Sequence, residues 1–262
     1  MTKIKCTVGI IVYNRAKSLR RTLESVKDFD EIIICDGGST DGTLDVAREF
    51  GSKIIQQDRR FKRPDNTIDD FSGVRNQTLN EAKNDWFLFV DSDEYLSLES
   101  VEEIRGIVSN DMPDFWVYDM PRKFVYNGER VDCATTYPSY QTRFFNKRAV
   151  TQFRKKVHER VSINSGFEKG VLNECTLVPL DTLAEMKRKG DYYLTIETSK
   201  EYTFLHWFIH IFLRTFASSV LSGIKYLRVV FVCKGKKIPF YNEYARHRYN
   251  IKLIFMTFRR LF

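Results

Sequence analysis

The chain has few of the features that mark several common protein classes. Its five cysteines are scattered and have no CxxC spacing, so we expect neither a zinc site nor a disulfide framework. All five are therefore expected to be reduced, as in a reducing compartment. The first residues run directly into a strand pattern, so no signal peptide is expected. There is also no GxxxxGK[ST] loop, which argues against phosphoryl transfer from ATP.

Acidic residues are almost missing from the last sixty positions. Residues 203–262 contain eleven Lys or Arg and one acid, Glu243, so the net charge of this segment is +10. The whole chain has a net charge of +8, so residues 1–202 carry about −2. Its apolar runs are broken by Arg214, Lys225 and Arg228, and each is shorter than the roughly 20 residues that span a membrane. Aromatic residues mixed with Lys and Arg are typical of a helix at the membrane interface. Core-packing helices with solvated basic faces fit the pattern equally well.

Strand and helix patterns alternate through the first ninety residues. The strand candidates are residues 7–12, 31–35, 53–56 and 86–90. Such alternation with short connections predicts an α/β fold with a mostly parallel, doubly wound sheet. The run at 86–90 is continuously apolar, as a strand buried on both faces should be.

The pattern changes after residue 110. Asn127-Gly128 is a hairpin signal, and further short strand candidates follow it. We expect this half to be mixed or antiparallel and to fold over the open end of the sheet. The predicted division is a catalytic domain at residues 1–200 and a basic, amphipathic helical segment at residues 201–262, which either contacts a membrane or packs on the catalytic domain.

Paired carboxylates follow the last of these strands. Asp91 and Asp93 are one residue apart at the carboxyl end of a buried strand, where open α/β sheets bind their ligands. Two such carboxylates can share a divalent cation with a substrate phosphate. A non-catalytic turn is the alternative for this pair, and a turn or cap is the alternative for Asp36, which follows the second strand.

Several short motifs occur in a characteristic order. They are Val-Tyr-Asn at 12–14, Asp-Gly-Gly-Ser-Thr-Asp-Gly-Thr at 36–43, Gly-Val-Arg-Asn at 73–76, Asp-Ser-Asp-Glu at 91–94, Arg-Phe-Phe at 143–145 and Val-His-Glu at 157–159. With this order and spacing the chain resembles the inverting family 2 glycosyltransferases, which have the GT-A fold, over roughly residues 4–165. It is most similar to small bacterial enzymes of lipopolysaccharide-core and surface-glycan assembly.

The resemblance implies roles for particular residues. Tyr13 and Asp36 would hold the uracil or other base of a nucleotide-sugar donor, and Asp91 would approach its ribose or sugar. Asp93, with Asp91 beside it, would bind Mg²⁺ or Mn²⁺ on the diphosphate, and Arg75 would lie near the phosphates or the donor sugar. Further substrate contacts are expected from Asn14, Arg143 and His158.

The chain departs from the family pattern in two places. Gly37 stands where many members have a second acid, and no Glu-Asp pair follows the paired aspartates. An inverting transfer needs one general base for the acceptor hydroxyl. Glu159 is the first candidate and Asp181 the second. A structural pair is the alternative for His158-Glu159, and a helix-face ion pair is the alternative for Arg75.

These patterns together predict a metal-dependent transferase. It would move one sugar from a nucleotide donor to a glycan or lipid-linked acceptor, and the resemblance favours UDP as the nucleotide. It would act in the cytoplasm, at the inner face of an anionic membrane. A nucleotidyltransferase is disfavoured because no glycine follows the first strand. The alternative is a nucleic-acid- or membrane-binding protein that uses the basic segment and has an inactive transferase-like fold.

Overall fold

The computed structural model describes residues 2–156 and 159–261, which fold as two compact units. Unit 1 comprises Met1–Lys123 and Pro138–Val178, and unit 2 comprises Phe124–Tyr137 and Pro179–Phe262. The compact units thus divide near residue 178, and unit 2 includes a segment from the middle of the chain. The division of roles at residue 200 stays a prediction.

Within the described residues, one large sheet forms the frame of unit 1. Its strand order is β3-β2-β1-β4-β8-β6-β12-β5, with β7 and β11 paired to β6 and with β9 and β10 as a separate pair. The strands are β1 (Ile4–Val12), β2 (Phe29–Asp36), β3 (Lys53–Gln56), β4 (Trp86–Phe89), β5 (Tyr95–Leu96), β6 (Val117–Tyr126), β7 (Glu129–Arg130), β8 (Tyr140–Asn146), β9 (Val150–Arg154), β10 (Arg160–Ile163), β11 (Lys169–Val171) and β12 (Thr176–Pro179). The first four pair in parallel, as the sequence predicts.

Helices cover both faces of the parallel strands. They are α1 (Ala16–Val26), α2 (Thr43–Glu49), α3 (Phe71–Asn80) and α4 (Leu98–Val108). On one face, Leu19 and Leu23 of α1 pack with Ile104 of α4 against the sheet, and all three are fully buried. On the other face, Leu79 of α3 packs in a second cluster with Phe87. Burial on both faces explains why these strands read as continuous apolar runs.

The second half of the sheet is mixed, as predicted, because β11 pairs with β6 in parallel while the pairs that β8 forms are antiparallel. Strand β8 pairs with β4, where Phe144 lies opposite Leu88, and also pairs with β6. Asn127 and Gly128 have φ angles of 51° and 78° and form the two-residue turn of the β6–β7 hairpin. Pairing of β8 with β4 is the step that carries Arg143 to the carboxyl end of β4.

Unit 2 is helical apart from its short strand segment. Its described part contains α5 (Leu183–Thr198), α6 (Phe204–Phe231) and α7 (Phe240–Phe258). Helix α6 includes a π-helical turn at Trp207–Leu213. The two apolar runs of the sequence thus form one helix of 28 residues, and by length and composition it is the one described helix that could cross a membrane. Each run by itself is shorter than a membrane span, as expected, but the joining of the two runs into one long helix was not predicted.

Two cysteines are joined in unit 2. A disulfide connects Cys133, which follows β7, to Cys233 at the end of α6, while Cys6, Cys35 and Cys175 are buried free thiols. The expectation that every cysteine is reduced is wrong for this pair. The two positions are 100 residues apart in the sequence and become neighbours only when α6 folds back to the strand segment.

Candidate functional site at the carboxyl edge of the sheet

The four parallel strands end together at one edge of unit 1. Val12 of β1 lies opposite Asp36 of β2, and Asp36 lies opposite Gln56 of β3. On the other side of β1, Gly9 is opposite Phe89, so the chain leaves β4 at the same edge. This edge is where open α/β sheets bind ligands.

The loops after β1 and β2 are tied to each other. Asn14 has a φ of 51°, its backbone N–H donates to Ser39 Oγ at 2.9 Å, and its Oδ1 accepts from the Thr40 N–H at 2.8 Å. Asn14 therefore fixes the shape of the edge. Tyr13 beside it is 53 % exposed, which leaves its ring available to a planar ligand.

Asp36 is fully buried at the end of β2 and stabilises the turn that follows. Its Oδ2 accepts the backbone N–H groups of Gly38 at 2.8 Å and Ser39 at 3.0 Å. The contact of Asp36 with a nucleotide base stays a prediction. A Cβ at Gly37 would lie 3.1 Å from Tyr13 and 3.2 Å from the Gln57 amide oxygen, so this edge has little room for the second acid of other family members.

Asp91 lies between two arginines. Arg143 Nη2 is 2.7 Å from Asp91 Oδ2, and Arg75 Nη2 is 3.0 Å from Asp91 Oδ1. Burial by itself raises the pKa of Asp91, but the two guanidinium charges outweigh it and hold the pKa well below its ordinary value. Both arginines also pack on the ring of Phe89, Arg75 at 4.0 Å and Arg143 at 5.0 Å. Asp91 is thus ionised and each of its oxygens is engaged.

Glu94 belongs to the same network. It is 2 % exposed and forms ion pairs with Arg143 and with Arg122 of β6. Burial and the charge of Asp91 raise the pKa of Glu94 against the effect of its arginines. Arg143, which has no exposed surface, therefore holds both carboxylates and fixes Asp91 relative to the end of β4. This supports a positioning role for Glu94 and Arg122.

Asp93 has a different environment. It is partly exposed, and none of the described residues forms an ion pair or side-chain hydrogen bond with it. The described residues also contain no group of three potential metal ligands. Mg²⁺ at phosphate sites is commonly held by one or two carboxylates together with substrate phosphates and water. Asp93 could be one such ligand. Asp91 could bind a cation only if it lost its ion pair with Arg75 or Arg143.

Glu159 is held by the other side of Arg75. Arg75 Nε donates to Glu159 Oε1 at 2.6 Å, so one arginine on α3 connects the predicted base to Asp91. This supports a site assignment for Arg75 rather than an ion pair with its helix neighbours. The predicted partner of Glu159, His158, lies outside the described residues.

A cavity of about 600 Å³ opens in front of this cluster. Its lining includes Arg75, Asp91 and Glu159 together with residues from β8, β9, β10 and β11. Arg160 reaches the cavity with no ion pair among the described side chains, while Lys169 pairs with Asp119 at 2.7 Å. The cavity thus combines cationic groups that suit a phosphorylated ligand with the Glu159 carboxylate, whose Oε2 has no hydrogen bond among the described residues.

Asp181, the second base candidate, belongs to unit 2. It precedes α5, and its Oδ2 is 2.6 Å from Lys189 Nζ. Its backbone carbonyl accepts the hydroxyl of Tyr241 at 3.2 Å. These contacts are those of a residue that stabilises the start of a helix, and its catalytic assignment stays a prediction.

Comparison with known proteins agrees with the geometry. The profile of the family described as Glycosyl transferase family 2 matches residues 7–176. The chain belongs to this family. The match covers the parallel strands, the paired aspartates and the mixed half of the sheet as far as the start of β12.

Curated relatives share the same part of the chain. A TPR repeat-containing protein of Synechococcus elongatus is 36 % identical over 153 residues, which are 58 % of this chain and 34 % of the relative. The prophage-derived glycosyltransferase SunS of Bacillus subtilis is 33 % identical over 158 residues, again 58 % of this chain and 34 % of the relative. The chain spans about a third of the length of these relatives.

Solved structures give the fold. S. aureus TarS 1-349 in complex with UDP has a TM-score of 0.50 at 17 % identity, and its complex with UDP-GlcNAc has a TM-score of 0.51 at 15 % identity. Each comparison covers 99 % of this chain and 92 % of the TarS 1-349 chain. The predicted GT-A architecture with a helical C-terminal segment is confirmed.

Some residues of this family 2 site escaped the sequence analysis. Glu94, Arg122 and Arg160 were not assigned, although Glu94 stands next to the paired aspartates. Gln141, which lines the cavity and accepts from Arg143 Nε at 2.6 Å, was not assigned either. A usable signal was present: three carboxylates within four residues after a buried strand require cationic partners, which neighbouring strands must supply.

Proposed function

We propose that this protein transfers a single sugar, with inversion, from a UDP-sugar to a glycan or lipid-linked glycan acceptor in bacterial surface-polysaccharide or lipopolysaccharide assembly. The observation that carries the proposal is the Arg75–Asp91–Arg143 cluster at the cavity, with Glu159 on the same arginine. The choice of UDP is supported by TarS, which has been solved with UDP and with UDP-GlcNAc.

The donor would lie along the carboxyl edge of the strands. Tyr13 offers an exposed ring to the base, and Asp91, held rigidly by its arginines, offers hydrogen-bond acceptors to ribose or sugar hydroxyls. Asp93 would hold Mg²⁺ or Mn²⁺ together with the diphosphate oxygens. Such a cation neutralises charge that develops on the leaving diphosphate. Arg160 supplies a further positive charge at the cavity.

Glu159 is the proposed general base. Its Oε1 is engaged by Arg75, and its Oε2 has no hydrogen bond among the described residues, so this oxygen can accept the proton of an acceptor hydroxyl. The acceptor oxygen then attacks the anomeric carbon from the face opposite the departing diphosphate, which inverts its configuration. A base in the correct position contributes about 10²- to 10⁴-fold in rate.

We also propose that the enzyme acts in the cytoplasm and contacts the inner face of an anionic membrane peripherally through residues 201–262. The support is the net charge of +10 on residues 203–262, in which the single acid, Glu243, is buried. Basic side chains near an anionic leaflet each contribute about 1 kcal/mol to binding. This location would bring the enzyme to lipid-linked acceptors.

The testing experiment is calorimetric titration with UDP, ADP, GDP and UDP-sugars, with and without Mn²⁺. We expect metal-dependent binding of UDP and of one UDP-sugar, and release of UDP when acceptor is added. Asp93→Asn should weaken metal-dependent UDP binding at least about tenfold, since it removes a ligand of the cation. Asp45→Asn, a neutralisation on exposed α2, is the matched control. Equal UDP binding by Asp93→Asn and the control would refute the metal role.

A further inference from the structure

The outer surface of helix α6 in unit 2 is apolar along most of its length. From Leu213 onward, six of its exposed large side chains recur every three or four residues, which places them on one face of the helix, while exposed Leu221 lies beside this face. This outward face consists of Leu213, Phe216, Val220, Ile224, Leu227 and Phe231. Only 11 % of the most apolar stretch of the helix is buried. A soluble protein rarely exposes a continuous apolar surface of this extent without a partner.

The opposite face of α6 is occupied within unit 2. Trp207 Nε1 donates to Thr257 Oγ1 of α7 at 2.9 Å, and Ser222 Oγ donates to Glu243 Oε2 of α7 at 2.8 Å. The paired helices therefore already bury one face of α6. The outward face remains for a partner outside the chain.

The charges on α6 lie on one flank of the helix. Arg214, Lys225 and Arg228 project between the buried face and the outward face, at helical angles close to one another. None of the three forms an ion pair among the described residues. Glu243 is 1 % exposed, so residues 203–261 expose positive charge and no carboxylate side chain.

We infer that α6 lies in the plane of an anionic membrane, with the outward face buried in the acyl chains of one leaflet and the basic flank at the level of the phosphates. This deepens the peripheral contact proposed above, because it adds insertion to electrostatic attraction. An apolar face beside a basic flank is the arrangement of an interfacial helix. The occupant it fits is an anionic phospholipid leaflet.

The alternative of a helix that spans the bilayer fits less well. Arg214 and Lys225 leave charge-free stretches of about ten residues, half of what a span requires. The end of α6 is also tied to the polar strand segment of unit 2: Cys233 is bonded to Cys133, and the Lys236 N–H donates to Asp132 at 2.9 Å. Sending this end across a bilayer would carry charged residues with it.

Depth measurement distinguishes the two arrangements. Ile209→Cys, Val220→Cys and Phe231→Cys, each made in the full chain and labelled with an environment-sensitive fluorophore, mark positions about 33 Å apart from first to last along the helix. The remaining free thiols are buried, so labelling is selective. Vesicles of phosphatidylcholine and phosphatidylglycerol carry bromine quenchers at defined acyl depths. An in-plane helix gives the same shallow depth at all three positions.

The other outcomes overturn the inference. A deep central position between two shallow ends would show a spanning helix. Absence of quenching, together with a doubled mass in sedimentation, would show that a second copy covers the outward face. Binding to these vesicles without quenching would retain the peripheral contact and refute insertion, and none of these results depends on sugar transfer.

Vesicle flotation tests the same surface by substitution. At about 1 M salt the Debye length falls to about 3 Å, so electrostatic attraction is screened while apolar burial remains. We expect the unmodified protein to stay bound at this salt concentration. The variant Leu213→Gln, Val220→Gln, Ile224→Gln, Leu227→Gln should lose at least about a hundredfold in high-salt affinity. The matched control is Leu98→Gln, Met112→Gln, Val171→Gln, which removes exposed apolar side chains from unit 1.

A charge variant completes the set. Arg214→Gln, Lys225→Gln, Arg228→Gln should weaken low-salt binding by about fivefold for each cation removed and should leave high-salt binding unchanged. Equal high-salt binding by the outward-face variant and its unit 1 control would refute insertion.

Discussion

The two units of this chain differ in which side chains they bury: unit 1 buries charged side chains, and unit 2 exposes apolar ones. Unit 1 buries Arg143, Arg75 and Glu94 beside its cavity and covers both faces of its sheet with helices. Unit 2 exposes the apolar outward face of α6 and an excess of cations. Buried charge and exposed apolar surface are both unusual in a folded protein. Buried charge indicates a site for a ligand, and exposed apolar surface indicates a site for a membrane or another partner.

The cost of each arrangement differs as well. A buried charge network needs every partner, because an unpaired buried charge is far more destabilising than the net gain from its pair. Exposed apolar side chains cost little in the folded protein and can be replaced with polar ones without loss of stability. Substitutions in the two units should therefore differ in their effect on the free energy of unfolding.

The largest expected effect is that of Arg143→Met in unit 1. It removes the group that holds Asp91 and Glu94, and we expect it to lower the free energy of unfolding by roughly 3–5 kcal/mol. Urea denaturation measures the change. Arg48→Met, which breaks an exposed pair with Asp45, should cost less than about 1 kcal/mol. An equal loss of unfolding free energy in the two variants would show that the buried network of Arg143 is no more important for stability than an exposed ion pair.

The next effect concerns the disulfide of unit 2. Reduction of Cys133–Cys233 opens a loop of about 100 residues, and we expect a loss of roughly 2–4 kcal/mol in the stability of α6 and α7. Hydrogen exchange of these helices with and without dithiothreitol measures it. The double variant Cys133→Ser, Cys233→Ser should not respond to the reductant. An equal response in unit 1 would mean that the two units do not unfold independently.

The smallest effect is a pH dependence in unit 2. Hydrogen bonds from Arg248 and Lys252 lower the pKa of Asp191 to about 2 from its ordinary 3.8. Asp191 therefore stabilises the folded protein fully at a pH above its pKa in the unfolded chain. This stabilisation is lost as the pH falls from about 4 to about 2, through the pKa of Asp191 in the folded protein. Hydrogen exchange of α5 and α7 over this range should show the loss, and Asp191→Asn should flatten it. An unaltered profile in that variant would assign the dependence to other carboxylates.

Local pattern predicted much of unit 1. The parallel strands and the edge that carries Asp36 and Asp91 follow from side-chain periodicity and turn chemistry, which act over a few residues. The same kind of signal predicted the hairpin at Asn127-Gly128, whose turn belongs to unit 2. The family motifs then placed Arg75, Glu159 and Arg143 near one site, and the structure brings them together with Asp91.

Contacts between residues that are distant along the chain could not be predicted from the sequence. Nothing local to Glu94 identifies Arg122, and nothing local to Cys133 identifies Cys233, because each partner comes from an element that is distant along the chain.

By itself, the sequence determined the alternation of strands and helices, the paired aspartates at a strand end and the concentration of positive charge after residue 203, since these depend on residue type and spacing. Tertiary structure decided which carboxylate is engaged and which is free, because Arg143 reaches Asp91 only through the pairing of β8 with β4. It also decided that Glu243 is buried while the outward face of α6 is exposed, since burial is a property of packed helices and not of one segment.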